Sequence, residues 1–458
     1  MKNKIRLMIK CICVIAPLIA VCIFARINLL CFADNEAPYY AWNKDICNTR
    51  QEKRYDVLVL GDSASNGAYV PEILSDSTLS LALGGTTAVE NYYILKEYLA
   101  NNEAPNVIYI SFSDTHMMRE DCFYNRQLYT HRYRLDELTE IISRAKYYEE
   151  PSIITDTYLT DFISYEFYFP NKYITSMMNG GFNQRKNGND NALKSIELHK
   201  GRYISLNNTV NESQKPVVFD SFKVAPLFDE YYRRIISLCS ENNMKLRVIK
   251  TTMDENVEFT DKYEAEFWNY YSQLLSEYDN LTVDWLKETE GHFYFRDNVH
   301  MNNRGARLFS QKIKSMYPED FEDEISDAQM EILDNDIQIE SDFSELFNWI
   351  KGKEFTILFY DGTGVLQEIY DSELKADFGM DLIYSGCESI YYTSGTNLDR
   401  LGVRIDAVEK KYRITFDNGN DYEWQPDITK DLELCIINNR SGKQVCTKKF
   451  CKRWIACT

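Results

Sequence analysis

Short apolar segments alternate with segments of helical spacing from residue 55 to residue 318, and this alternation limits the possible folds more than any other feature of the chain. Apolar runs of strand length occupy residues 56–61, 78–85, 106–113, 245–251 and 281–285. Apolar residues with helical spacing occupy residues 88–102, 227–243, 261–278 and 303–317. Because helices between successive strands act as right-handed crossovers, the pattern predicts a doubly wound parallel sheet with helices on both faces.

The alternation is interrupted between about residues 118 and 224. Turn-forming residues cluster there, aromatic residues are frequent, and helical spacing is visible only near residues 135–148. We interpret this stretch as a long insertion in the α/β domain.

The N-terminal residues 1–34 combine positive charge with a long apolar run. Four basic residues precede the apolar residues 11–25, Arg26 interrupts the run, and apolar residues then continue to Ala33. This pattern predicts an uncleaved membrane anchor, with the basic end inside and the rest of the chain outside the cytoplasm. A signal peptide that is cleaved to release a secreted protein is the alternative. Residues 35–54 are expected to form a spacer.

A change of charge marks the end of the α/β region. Residues 319–350 contain no lysine or arginine while acidic residues recur, and we expect an acidic linker over residues 319–345. Residues 346–458 have several β-type segments and predict a small β-rich accessory domain. Within it, Cys435 and Cys446 are placed symmetrically about Arg440 and Ser441, so a hairpin turning there would allow a disulfide. Two separate thiols are the alternative.

Charge and cysteine spacing exclude several classes of function. The net charge of −19 argues against nucleic acid, which requires a basic surface. The 12 cysteines include no CxxC pair, so we expect no zinc site, and no other metal or cofactor is indicated.

Two motifs at opposite ends of the α/β region carry the residue types of nucleophilic catalysis. The first strand runs directly into Gly61-Asp62-Ser63. A serine hydroxyl becomes a nucleophile when a histidine removes its proton and a carboxylate orients that histidine. The chain has five histidines, and His300 follows Asp297 by three residues just before the last helix, so one tight turn can bring the two side chains together. We therefore expect Ser63 to be the nucleophile, with His300 and Asp297 as its partners.

With these motifs in this order, residues 55–317 resemble the SGNH (GDSL-type) hydrolase family. The family carries a GDS motif after the first strand, a glycine after the second, an asparagine after the third and DxxH near the domain end. The resemblance implies a three-layer, flavodoxin-like α/β domain with an oxyanion hole formed by Ser63, Gly85 and the residue at position 113. The adjacent Gly84 leaves the choice of glycine open by one residue.

This chain departs from the family pattern after the third strand. Ser113 stands where the family has its asparagine, within the segment "SFSD". Losing one oxyanion donor typically slows such a reaction by about a hundred- to a thousandfold. A slower enzyme, a rearranged oxyanion hole assisted by His116, or a transferase for which Ser113 suffices are all consistent with this change.

The resemblance and the N-terminal segment together imply a function at the cell envelope. We expect an esterase or O-acyltransferase that acts on acyl esters, such as acetyl esters, of an envelope polysaccharide. The substrate would be an acylated glycan or a small acyl ester, and a membrane acyl-transfer protein is a candidate partner. A protein that keeps the fold but binds or assembles the polysaccharide without turnover is the alternative.

Overall fold

The computed structural model describes residues 2–28, 31, 36–120, 122–166, 182–202, 210–211, 215–287 and 290–321, and, between residues 327 and 450, the elements given below with a few neighbouring residues. The chain divides into two compact units, Met1–Ile325 and Ser326–Thr458.

The strands of the first unit follow the predicted apolar runs. In chain order they are β1 (Val57–Gly61), β2 (Thr78–Ser80), β3 (Val107–Ser111), β4 (Val217–Phe219), β5 (Lys245–Lys250), β6 (Val257–Phe259) and β7 (Leu281–Trp285). Five of them form a parallel sheet in the order β2-β1-β3-β5-β7, and β4 pairs with β6 in a separate parallel ribbon. Counted within the main sheet the order is 2-1-3-4-5, which is one of the two common orders of doubly wound sheets.

The helices of the first unit lie before, between and after these strands. In chain order they are α1 (Lys2–Ile27), α2 (Ala37–Asn48), α3 (Ser63–Ala68), α4 (Pro71–Leu74), α5 (Ala88–Asn101), α6 (Asp114–Met118), α7 (Leu135–Tyr148), α8 (Tyr158–Glu166), α9 (Phe182–Leu198), α10 (Pro226–Glu241), α11 (Asp261–Glu277) and α12 (Asn303–Met316). A π-helix, Phe123–Leu128, precedes α7, and short 3-10 turns occur at His292–Tyr294 and Pro318–Asp320.

Helices cover the main sheet on both faces, as the sequence predicts. Leu58 and Leu60 of β1 belong to a core that α5, α10 and α11 complete. Val57 and Val59 belong to a second core that includes Phe309 of α12. Because neighbouring strand residues point to opposite faces, the alternate membership of these four residues places the sheet between two helical layers. The first unit is therefore an α/β domain with a central parallel sheet.

The strand order changes direction between β1 and β3, and the backbone after β1 turns sharply. Gly61 ends β1 with φ +117°, and a Cβ at this position would lie 2.0 Å from the carbonyl oxygen of Ser111 on β3. No residue other than glycine fits that contact. The two strands diverge here into α3 and α6, which opens a crevice at their carboxyl ends, the usual ligand position in doubly wound sheets.

Two regions are more helical than the sequence pattern indicates. The expected spacer contains α2, of which Tyr40, Trp42 and Cys47 are buried. The insertion contains the expected helix α7, but also the π-helix, α8 and α9. The sequence pattern did not predict α9, because turn-forming residues such as Gly188 interrupt a regular apolar spacing. Its helical conformation is supported by neighbouring structure instead.

The N-terminal helix α1 is long and apolar enough to cross a membrane over Lys10–Ile27, and 6% of that segment is buried within the protein. It is the one such helix found among the described residues. This property fits an anchor and a signal sequence equally.

The second unit contains antiparallel β-structure. Its described elements are α13 (Phe343–Ile350), β8 (Phe355–Asp361), β9 (Ile383–Tyr384), β10 (Ile390–Ser394), β11 (Val403–Val408), β12 (Lys411–Phe416), β13 (Asp421–Trp424), β14 (Leu432–Asn438) and β15 (Lys443–Phe450). They form one sheet in the order β15-β14-β8-β10-β9 and another in the order β11-β12-β13. Asn418-Gly419, a pair typical of hairpin turns, lies outside the described residues.

The expected disulfide between Cys435 and Cys446 is wrong, and a β-bulge explains why. The hairpin forms as expected, and near its turn Ile437 pairs with Gln444. Continued without a break, that register would place Cys435 opposite Cys446. The register shifts between Ile436 and Ile437, so Cys446 pairs with Ile436 instead and both thiols are free. A one-residue shift turns a side chain to the other face of the sheet, which separates the two sulfur atoms.

Candidate active site

Ser63, the nucleophile expected from the sequence, lies in the first turn of α3 directly after β1. Asp62 caps this helix, since its carboxylate accepts hydrogen bonds from the backbone N–H groups of Ala64 at 2.9 Å and Ser65 at 3.4 Å. These bonds stabilise the turn that presents Ser63 at the carboxyl end of the sheet.

Asp297 and His300 lie in the loop between β7 and α12. One carboxylate oxygen of Asp297 accepts the backbone N–H groups of Val299 at 2.9 Å and His300 at 2.7 Å, which holds the loop in a tight turn. The ring Nδ1 of His300 lies 2.9 Å from Asp297 Oδ2, and the opposite ring nitrogen, Nε2, lies 2.9 Å from Ser63 Oγ. The structure therefore brings the three residues into one chain of hydrogen bonds, across 237 positions of sequence.

The charge of Asp297 determines which nitrogen of His300 carries the proton. Burial opposes ionisation of Asp297, but the hydrogen bond and charge of His300, with the backbone N–H groups of His300 and Val299, together outweigh it and lower the pKa of Asp297 to about 2. The carboxylate therefore accepts a hydrogen bond from Nδ1–H, and Nε2 presents its lone pair to the hydroxyl of Ser63. In this arrangement His300 can remove the serine proton while Ser63 Oγ attacks a carbonyl carbon.

A second histidine–aspartate pair lies behind Ser63. The carboxylate of Asp62 is fully buried, and its Oδ2 lies 2.6 Å from Nδ1 of His116. Burial opposes the charge on both groups. The hydrogen bonds and charges of Asp62 and Cys122 together outweigh it at His116 and raise the pKa of His116 to about 10, and the hydrogen bonds of His116 and Ser113 with the charge of His116 outweigh it at Asp62 and lower the pKa of Asp62. The two residues therefore form a buried ion pair at neutral pH.

Ser113, the third expected oxyanion donor, belongs to this buried pair. Its backbone N–H donates to Asp62 Oδ2 at 2.8 Å, and its Oγ lies 2.6 Å from the same oxygen. A hydroxyl can donate one hydrogen bond, and the ionised Asp62 accepts the one from Ser113. Ser113 thus holds the junction of β3 and α6 against the turn before Ser63. Its hydroxyl proton is directed to Asp62 and is not available to an oxyanion.

The glycine beside Ser63 is Gly84, one residue before the expected Gly85. A Cβ added to Gly84 would lie 3.7 Å from Cβ of Ser63. Gly85 has φ +70° and turns toward Cys122, whose Sγ would lie 2.8 Å from an added Cβ. Tyr40 donates a hydrogen bond to the carbonyl oxygen of Gly84 and so orients this peptide. The candidate oxyanion donors near the nucleophile are therefore backbone N–H groups of Ser63 and of the Gly84–Gly85 turn.

Ser63 and His300 both line a cavity of about 960 Å³. This volume is at the upper end of the range for small-molecule sites. Helix α9 from the insertion forms one wall, with Arg185, Gly188 and Ala192 among its lining residues.

No protein-family model matches this chain, and no curated protein matches it.

Sequence reasoning did not identify the arginines of the cavity or the function of His116. Four arginines line the cavity: Arg126, Arg185, Arg202 and Arg296. They come from the π-helix, from α9, from the turn after α9 and from the loop before His300. No spacing links them in the sequence. For His116 the adjacent "SFSD" segment is a weak signal, since Ser113 lies one helical turn away.

The other histidines have partners away from Ser63. His292 has Nδ1 3.0 Å from the buried carboxylate of Asp254, and His199 has Nδ1 2.9 Å from the buried Glu72. Burial lowers the pKa of His131 to about 4. Among the described residues, no group of three or more histidine, cysteine or acidic side chains is arranged to hold a metal ion.

Proposed function

We propose that this protein is an extracytoplasmic serine esterase or O-acyltransferase of the SGNH type, acting on acyl esters of a cell-envelope polysaccharide. The observation that carries the proposal is the hydrogen-bonded chain from Ser63 through His300 to Asp297 at the wall of a large cavity. The location at the carboxyl ends of β1 and β3, where the strand order reverses, supports it.

The proposed reaction passes through an acyl-enzyme. Ser63 Oγ attacks the ester carbonyl while His300 Nε2 takes its proton, and backbone N–H groups of Ser63 and of the Gly84–Gly85 turn stabilise the tetrahedral oxyanion. His300 then gives the proton to the departing sugar oxygen. Water completes hydrolysis, and a second sugar hydroxyl completes transfer, with His300 as general base in either case.

The surroundings of the site favour a glycan as substrate. The apolar helix α1 would tether the domain to a membrane, and the basic residues before it would remain on the cytoplasmic side. Acyl esters in reach of such a domain are those of envelope polymers and of a membrane protein that supplies acyl groups. The cavity has room for a sugar ring beside the ester, and Tyr39 and Tyr40 provide aromatic surface there.

The alternative, a binding or assembly protein without turnover, is favoured by one observation. The residue at the position of the family's asparagine, Ser113, directs its hydroxyl proton to Asp62. If the two remaining backbone donors are insufficient, a bound ester would not react at a useful rate.

Acetate release from an O-acetylated oligosaccharide separates the two functions. The full chain in detergent should release acetate or transfer it to an added acceptor sugar, and Ser63→Ala should reduce the rate at least about a thousandfold. Ser315→Ala, an exposed change on α12, is the matched control and should leave the rate unchanged. Binding of the oligosaccharide with no acetate release by the wild type would favour the alternative.

A further inference from the structure

The candidate oxyanion hole lacks one donor of the SGNH pattern. Ser113 stands at the position of the family's asparagine, and its hydroxyl proton is directed to the buried carboxylate of Asp62. Backbone N–H groups of Ser63 and of the Gly84–Gly85 turn remain as donors. Because each oxyanion donor has a large effect on the rate, a further donor beside Ser63 would replace what the change at position 113 removes.

The guanidinium of Arg126 lies beside the Gly84–Gly85 turn. Arg126 belongs to the π-helix Phe123–Leu128 of the insertion and lines the same cavity as Ser63. A Cβ added to Gly84 would lie 3.5 Å from Nη1 of Arg126 and 3.7 Å from Cβ of Ser63. A Cβ added to Gly85 would lie 2.9 Å from the same nitrogen. The two glycines therefore leave room for a guanidinium nitrogen next to the nucleophile.

The position of Nη1 suits a donor to the oxyanion. Nη1 of Arg126 and Cβ of Ser63 both lie within 4 Å of one point, the position of a Cβ on Gly84. In a tetrahedral intermediate the oxyanion is three covalent bonds from Cβ of Ser63, and its donor nitrogen lies about 3 Å beyond it. A donor is thus about 6 Å from that Cβ, which is a separation that the position of Nη1 allows.

Glu36 holds the guanidinium in this orientation. Arg126 Nε lies 2.8 Å from Glu36 Oε2, and Arg126 Nη2 lies 3.1 Å from Glu36 Oε1. This contact uses the edge of the guanidinium that Nε and Nη2 form, whereas the N–H groups of Nη1 lie at the other end of the planar group. The ion pair therefore fixes the guanidinium plane through two nitrogens while the third lies against the glycine turn.

Tyr40 links Arg126 to the carbonyl side of the same turn. The hydroxyl of Tyr40 donates a hydrogen bond to the carbonyl oxygen of Gly84, and the guanidinium of Arg126 lies close to that hydroxyl. Successive hydrogen bonds polarise one another, so a carbonyl that accepts a strong hydrogen bond makes the N–H of its own peptide a better donor. Arg126 therefore also supports the Gly84–Gly85 peptide as an oxyanion donor.

We infer that Arg126 is a catalytic residue whose Nη1 donates to the oxyanion, in place of the asparagine of the SGNH pattern. This inference rests on the proposed function, because it assigns a further residue to the same reaction. A guanidinium is always charged, and its hydrogen bonds to an anion are about twice as strong as those of a neutral amide. Because the negative charge develops only as the serine attacks, the contribution of Arg126 belongs to kcat rather than to substrate binding.

Kinetics of Arg126→Gln on two esters test this inference. The substrates are an O-acetylated oligosaccharide and p-nitrophenyl acetate, which share the acetyl group and differ in the leaving group, and the enzyme is the full chain in detergent. Loss of the donor should lower kcat by about a hundred- to a thousandfold on both esters, with KM changed by less than about threefold. Arg126→Lys keeps a positive charge without the planar group and should retain more activity than Arg126→Gln.

Arg144→Gln is a matched control. Arg144 on α7 contacts Glu230 through the same two nitrogens, with Nε at 2.8 Å and Nη2 at 2.6 Å. Its side chain is 33% exposed, compared with 35% for Arg126. Arg144 is not among the described residues that line the cavity. The control removes the same charge and the same kind of ion pair, and it should leave kcat unchanged. Thermal unfolding of each variant verifies that it is folded.

The two esters distinguish catalysis from binding of the sugar. A change that appears only as a higher KM for the oligosaccharide, or a kcat equal to that of Arg144→Gln, overturns the inference.

Labelling by a fluorophosphonate separates failure of the inference from failure of the proposed function. If the wild type cleaves neither ester, the esterase function fails, but the reaction of Ser63 with the reagent still places negative charge on an oxygen in the same hole. Slower labelling of Arg126→Gln than of Arg144→Gln then supports the inference. Equal labelling rates, or an unlabelled Ser63 in the wild type, overturn it.

Discussion

Two histidine–aspartate pairs border Ser63, and they differ in which ring nitrogen of the histidine lies next to a serine hydroxyl. His300 contacts Asp297 through Nδ1 and Ser63 through Nε2, so Nε2 can take the serine proton while Nδ1–H keeps its hydrogen bond to Asp297. His116 contacts Asp62 and Ser113 through the same nitrogen, Nδ1. The same residue types therefore place the serine hydroxyl opposite the carboxylate in one pair and beside the carboxylate in the other.

The environments of the two carboxylates reinforce this difference. Asp297 is 53% exposed and Asp62 is fully buried. A buried carboxylate holds a protonated histidine strongly, and such a histidine has no lone pair with which to act as a base. The comparison teaches that contact among a serine, a histidine and an aspartate fits general-base catalysis only when the serine hydroxyl lies at the ring nitrogen opposite the carboxylate.

The largest expected effects concern the His300 pair. His300→Gln should reduce kcat for ester cleavage by about 10⁴-fold or more, because the general base is removed. Asp297→Asn should reduce kcat by about 10³–10⁴-fold, because the orientation of His300 and the stabilisation of its cation are weakened. Both changes lie near the surface, so unfolding curves should resemble those of the wild type. Normal turnover by His300→Gln would contradict the assignment.

The His116 pair should show the reverse result, with a large effect on stability. His116→Gln leaves the buried charge of Asp62 without its partner and should lower the free energy of unfolding by about 3–5 kcal/mol. Ester turnover by the fraction that is folded should fall by much less than in His300→Gln. Urea unfolding and kinetics on the same preparation provide the comparison. A His116→Gln variant with normal stability and lost activity would mean that the His116 pair is catalytic and not structural.

The pH dependence of stability sharpens the same contrast. The pKa of His116 is raised from its ordinary value of 6.5 to about 10, because the hydrogen bonds and charges of Asp62 and Cys122 together outweigh burial. The stabilisation from protonated His116 is therefore complete below about pH 6.5 and is lost as pH rises toward 10. The stability difference between the wild type and His116→Gln should accordingly shrink between pH 6.5 and pH 10. A constant difference across this range would contradict an ionic pair.

The smallest expected effect concerns Ser113. Ser113→Ala removes a hydrogen bond to the buried carboxylate of Asp62 and should cost about 1.5–3 kcal/mol of stability. It should change ester turnover by less than about tenfold, since the hydroxyl proton is directed away from an oxyanion. A hundred- to thousandfold loss of kcat, with little loss of stability, would show that Ser113 is an oxyanion donor after all.

Local sequence signals predicted the elements that depend on local pattern. The strand Leu281–Trp285 and the helix Leu135–Tyr148 have the expected bounds, because apolar spacing and turn residues define them within one segment. The contact of Ser63 with the Asp297–His300 pair could be predicted from the sequence, because each motif follows a predicted strand. Parallel strands direct their carboxyl ends to one edge of a sheet, so the topology implied the contact.

The features that were missed depend on packing between distant segments. The arginines that line the cavity come from segments without regular spacing, and their positions depend on how the insertion folds over the sheet. The bulge that separates Cys435 from Cys446 adds one residue to a hairpin whose turn was predicted correctly. The sequence of a strand does not show where such a residue is inserted.

Labelling with a fluorophosphonate, followed by mass mapping of the adduct, tests the central claim most directly, because the reagent reacts with a serine that a neighbouring histidine activates. The account predicts a single adduct on Ser63, no adduct in Ser63→Ala, and much slower labelling of His300→Gln than of His116→Gln. An adduct on another residue, or an unlabelled Ser63 in folded wild-type protein, would contradict it.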